Sequence, residues 1–139
     1  MTIVVDYPTY SSARDHFKDV LDATDAGRSV TMAREGNLSV VFPIEKVRNY
    51  FFHSVSPRVR IFVEAGVTVA LMEERPFLAE GASVDDALAD LMLVLREYAV
   101  DWESRLKDAP NHEQNWALVQ LIKLSTDEQL RDWFERGGE

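Results

Sequence analysis

The 139-residue sequence is 46% hydrophobic and 28% charged, a globular balance that excludes wholesale disorder and allows one main core with a small appendage. It has no cysteine for disulfides or thiolate metal sites, no apolar run near the ~20 residues of a membrane helix, and an acidic N-terminus, MTIVVDYPTY, where a secretory leader is basic. The expected setting is therefore cytoplasmic with no membrane, and the net charge of −9, taken over the whole chain, argues against a nucleic-acid binder.

Ile3 to Val5 is a β-branched run closed by Asp6, Tyr7 and Pro8, which predicts a short strand entering a turn. Ser11 or Ser12 offers a helix N-cap. Ala13, Phe17, Val20, Leu21 and Thr24 then recur at helical spacing, predicting one helix with a single buried stripe, ended by Gly27. Ser29–Arg34 and Leu38–Phe42 are strand-like, and Gly36 and Asn37 tolerate the positive φ of a hairpin turn. Pro43 ends the pairing, and Ile44, Val47, Tyr50 and Phe51 mark a second helix. The first fifty or so residues thus read β-α-β-β-α. So small a unit buries little apolar surface alone, so it is expected to pair, and its sheet edge is a natural seam.

After a break at His53–Pro57, Val59–Val63 and Val67–Met72 predict two strands around a turn at Glu64-Ala65-Gly66, with a short third strand at Phe77–Ala79. Ser83 caps a long helix from Val84 to about Leu106, whose apolar residues Val84, Ala87, Leu88, Leu91, Leu95, Tyr98 and Trp102 step by threes and fours. Asp85 and Asp86 complement its dipole. A loop with Pro110 leads to a helix at about Glu113–Leu124. Ser125-Thr126-Asp127-Glu128 has capping-box spacing before a last helix with Leu130, Trp133 and Phe134, and the terminal Gly137-Gly138-Glu139 is expected to fray. The fold class is α+β.

Charge is spread unevenly along these elements. Residues 1–60 carry eight basic and seven acidic side chains, net +1; residues 61–139 carry seven basic and 17 acidic, net −10. Two faces with different partners are expected.

No phosphate loop, nucleophile elbow or His-Glu-x-x-His pair is present, and His16, His53 and His112 lie far apart, so neither a metal nor a cofactor is expected. Adjacent carboxylates such as Glu73-Glu74 and Asp85-Asp86 point apart, and no nucleophile and base can be paired. The expectation is not an enzyme. Trp102, Trp116, Trp133 and Phe134 are candidates for partner-binding anchors, against a reading as core that their helical spacing favours about two to one.

The run Thr9-Tyr10-Ser11-Ser12-Ala13-Arg14, then Phe17 and Val20-Leu21, then Ala26-Gly27-Arg28-Ser29-Val30-Thr31-Met32-Ala33-Arg34-Glu35-Gly36-Asn37, resembles the Phd/YefM antitoxin family, as does Ser39–Val47 with its Pro43 exit into a helix. The likeness covers residues 2–52. Val59–Tyr98, with Gly81 ahead of Val84-Asp85-Asp86-Ala87-Leu88, weakly resembles the sheet-and-helix domain of HicB-type antitoxins.

The first resemblance implies a homodimer that binds operator DNA to repress its own promoter, and a second region that neutralises a toxin. It makes residues 1–54 the dimerisation and DNA-binding domain and leaves the toxin to the rest; there the family usually has a short tail that orders on binding, whereas 58–139 reads as an acidic strand-helix region, whose charge makes the expected cognate toxin basic. Arg14, at the helix start, and Arg34, at the hairpin turn, align with DNA-facing positions, with Lys18, Arg28, Lys46 and Arg48 as phosphate contacts. The alternative is a regulatory or protein-interaction module that keeps the fold without toxin or DNA.

Overall fold

The computed structural model describes residues 3–139, and its internal contacts divide the chain into one unit ending at Val47 and another from Arg48 to Glu139. The division falls inside a helix. The chain adopts a mixed α+β fold.

The first unit contains helices α1 (Tyr10–Asp15) and α2 (Phe17–Asp25), the antiparallel strands β1 (Val30–Arg34) and β2 (Asn37–Val41), and the first turn of α3 (Ile44–Ser54). The expected strand at Ile3–Val5 does not form. Among the described residues Tyr7 alone bridges the sheet from this segment, its N–H donating to the Thr31 carbonyl at 3.1 Å and its carbonyl accepting from Ala33 at 2.9 Å. The Asp6 carboxylate takes the Thr31 N–H at 2.9 Å, the bond that a continued strand would need from backbone.

One expected helix is two. The His16 ring lies 2.8 Å from the Ser12 carbonyl, so the imidazole occupies the acceptor that the His16 N–H would use in a continuous helix. That N–H bonds instead to Ala13, one residue nearer, at 3.2 Å. Thr9, rather than Ser11 or Ser12, caps α1, and Ser12 completes a reciprocal box. Of the expected stripe, Ala13 and Val20 are buried while Phe17 and Leu21 stay exposed. Gly27 ends α2 at φ +90° as expected. The hairpin turn places positive φ on Glu35 and Gly36, at 51° and 84°, one residue earlier than predicted.

The second unit begins in α3. An antiparallel meander, β3 (Val59–Glu64), β4 (Val67–Met72) and β5 (Phe77–Gly81), is followed by α4 (Val84–Asp101), α5 (Trp116–Leu124) and α6 (Asp127–Arg136). In register, Met72 pairs with both Val59 and Phe77, and Ala70 with Ile61 and Ala79. Met72, Phe77, Ala70 and Ala79 are buried, as is the inner stripe of α4: Ala87, Leu88, Leu91, Leu95 and Ala99. Val84, counted on that stripe from spacing, is exposed. Ser83 caps α4 by accepting from the Asp86 N–H at 3.1 Å. The helix continues as a π-turn, Trp102–Leu106.

Leu118, Val119, Leu121 and Ile122 of α5 and Leu130, Trp133 and Phe134 of α6 complete the core. The capping box before α6 pairs Thr126 with Gln129, one residue later than the spacing predicted. Arg75 donates to the Ser56 carbonyl at 3.0 Å, and burial lowers its guanidinium pKa below the ordinary value. No helix among the described residues is long and apolar enough to cross a membrane.

The C-terminal glycines are anchored, not frayed. Gly137 N–H donates to the Trp133 carbonyl at 2.8 Å, and Gly138 N–H to the Phe52 carbonyl at 2.7 Å. Trp133 is fully buried and donates its indole N–H to the Val55 carbonyl at 2.7 Å. A Cβ at Gly137 would lie 2.1 Å from the Trp133 ring and 2.7 Å from its carbonyl, so only glycine fits. Gly137→Ala is expected to destabilise the unit by about 1–3 kcal/mol, read as a fall in the midpoint of chemical denaturation followed by tryptophan fluorescence. A midpoint unchanged from the parent would contradict this packing.

Candidate functional site

In the first unit, the short α1 lies over one face of the hairpin and leaves a cleft of about 330 Å³. It is lined by Tyr10 and Ala13 from the helix and by Met32, Ala33, Arg34, Asn37 and Ser39 from the strands. Register explains four of the strand residues: Arg34 faces Asn37 and Met32 faces Ser39, so these four side chains share one face of the ribbon. The cleft thus offers a guanidinium, an amide, a hydroxyl and a phenol around an apolar floor.

Tyr10 links the two arginines singled out from sequence. It lines the cleft beside Arg34, and the Arg14 guanidinium stands 5.6 Å from the centre of its ring. Arg14 lies in the last turn of α1, not at a helix start, so its charge does not add to a helix N-terminus. Arg34 closes β1 at the hairpin, as expected. Tyr10, Asn37 and Ser39 were missed. Their signals were present in the spacing of Tyr10 four residues before Arg14 and in the hairpin register opposite Arg34.

The other basic candidates divide by partner. Lys18 pairs with Asp22 at 2.7 Å and Arg14 with Asp15 at 3.2 Å, both in solvent, where such pairs hold weakly. Arg28, Arg34 and Lys46 make no ion pair among the described residues. Arg48 belongs to the second unit, where it is half-buried and donates to the Leu124 carbonyl at 2.9 Å, satisfying the end of α5. It is not presented for phosphate contact. The unit ending at Val47 contains five basic and seven acidic residues, net −2, so any anion site in it is local.

Three of the four aromatic anchors are core. Trp102, Trp133 and Phe134 are buried, and the indoles of Trp102 and Trp133 donate to the His112 and Val55 carbonyls, each at 2.7 Å. A buried indole with its donor satisfied presents nothing to a partner. Trp116 is 52% exposed and meets Phe51 edge to face at 5.6 Å. Sequence reasoning overlooked Leu93 and Val100 of α4, which are more exposed than any of these aromatics, at 62% and 71%. Both fall outside the buried stripe, which was the available signal.

The histidines serve locally. His16 contacts the Ser12 carbonyl, His53 the Glu139 carbonyl, and His112 the Tyr98 hydroxyl at 2.8 Å. Among the described residues no group of His, Asp and Glu is arranged to hold a metal.

No family model matches the chain, and no curated protein matches it significantly. Its fold is similar to a crystal structure, at 1.80 Å resolution, of the antitoxin part of a candidate toxin/antitoxin system from Syntrophomonas wolfei subsp. wolfei. The similarity has a TM-score of 0.77 at 15% identity and covers 93% of this chain and 96% of that one. At that identity the likeness is one of fold.

Proposed function

We propose that the chain is the antitoxin of a toxin–antitoxin pair, which neutralises a basic toxin by direct contact and binds its own operator as a homodimer. The observation that carries this reading is the near full-length match in fold to one antitoxin structure, spanning both units. Residues 61–139, at net −10, favour attraction of a basic partner. The Tyr10–Arg34 cleft, with Arg14 beside it, supplies the groups that read base edges, and Arg28, Lys46 and Lys18 supply charge for phosphates.

What the first unit leaves uncovered supports the homodimer. Leu38 and Val40 share the ribbon face away from Met32 and Ser39, and both are exposed, as are Phe17 and Leu21 of α2. Among the described residues the outer edge of β2 has no strand beside it. Net −2 in this unit favours a second reading, a protein-interaction module without DNA binding.

Three measurements test the proposal. Titration of the protein on its own promoter should give salt-dependent binding. Arg34→Ala should weaken it by about 1–3 kcal/mol, and Arg14→Ala should lower the salt slope by about one. Absence of binding, even with the product of the adjacent gene added, moves the function to the second reading. Co-expression with that adjacent product should restore growth that the product alone arrests, and the pair should co-purify; growth arrest that persists sinks the antitoxin reading. Sedimentation should give twice the chain mass, shifting towards a single chain in Leu38→Glu with Val40→Glu; an unchanged mass excludes this seam.

A further inference from the structure

On the outer side of α4, opposite its buried stripe, Ala89, Leu93 and Val100 form an exposed apolar line. Two depressions run along it and share Arg96. One, of about 690 Å³, includes Met92, Leu93, Asp127 and Glu128; the next, of about 460 Å³, includes Glu97, Val100 and Asp101. From Ala89 to Asp101 the groove is about 18 Å long, room for roughly three turns of helix.

The rim is acidic in effect. Arg96 is committed within the unit, donating to the Ile122 carbonyl, to the Ser125 carbonyl at 2.9 Å and to Asp127 at 2.8 Å. Arg131 is held by Asp85 at 2.7 Å and Glu135 at 3.4 Å. Glu97 and Glu128 make no ion pair among the described residues and are exposed. The line of Ala89, Leu93 and Val100 fits an amphipathic helix, and the free carboxylates select positive charge beside it. The same carboxylates oppose a second copy of this face and oppose nucleic acid.

We infer that the outer groove of α4, between Ala89 and Asp101 and bordered by the start of α6, docks a basic amphipathic helix of a partner protein. The inference deepens the antitoxin reading and rests on it for the identity of that partner as the toxin.

The test uses the full, isotope-labelled chain and a synthetic leucine–lysine peptide with helical spacing, beside its leucine–glutamate counterpart. The lysine peptide should perturb amide signals at Ala89–Asp101 and Asp127–Arg131, salt-sensitively, and the glutamate peptide should not. Leu93→Asn with Val100→Asn should weaken binding about tenfold or more, and Glu97→Lys with Glu128→Lys should weaken it comparably, with thermal unfolding unchanged. Perturbation elsewhere, binding undiminished in either variant, or a dimer that Leu93→Asn with Val100→Asn splits apart would overturn the assignment. Capture of the adjacent-gene toxin undiminished by both variants removes the groove as its dock while leaving the antitoxin reading intact. Peptide binding in the groove without any toxin binding does the reverse.

Discussion

The second unit is organised by the one-sided burial of α4. Its inner stripe must cover β4 and β5 while also meeting α5 and α6, so every neighbour is placed by where Leu88, Leu91 and Leu95 point. The indole of Trp133, buried at the core and tied to Val55, fixes α6 against the end of α3. Because the inner face satisfies the whole core, the outer face is free to keep Leu93 and Val100 in water without loss of fold.

The first unit obeys a different constraint. Its side chains compete with its own backbone for hydrogen bonds, and they win twice. Asp6 takes the Thr31 amide that would have extended a strand, and His16 takes the Ser12 carbonyl that would have kept α1 and α2 one helix. The result is a short α1 standing over the ribbon, which creates the cleft beside Arg34.

Long periodic elements were legible from residues alone. The alternation at Val59–Met72, the threes and fours from Ala87 to Trp102 and the turn residues Gly36 and Gly66 all led to elements close to their predicted places. What periodicity cannot carry is which of two acceptors an amide or ring chooses, so the Asp6 and His16 interruptions were invisible. Nor can it say whether an aromatic at helical spacing ends in the core or in water: Trp102 and Trp133 went inside, whereas Trp116 did not. Of the candidate site, Arg14 and Arg34 were found through a family likeness. Tyr10, which joins them, emerged only once the chain was folded.

The β1–β2 and β3–β4 hairpins each place a residue with a side chain at the first left-handed position of the turn, Glu35 at φ 51° and Ala65 at φ 51°. An L-residue there costs roughly 1–2 kcal/mol, so neither turn is a strong nucleus by itself. Strand pairing must then be held closed by contacts distant in sequence: α1 over the first ribbon and α4 over the second sheet. Folding is thereby coupled to tertiary docking rather than seeded at the turns, and loosening either helix releases the ribbon beneath it.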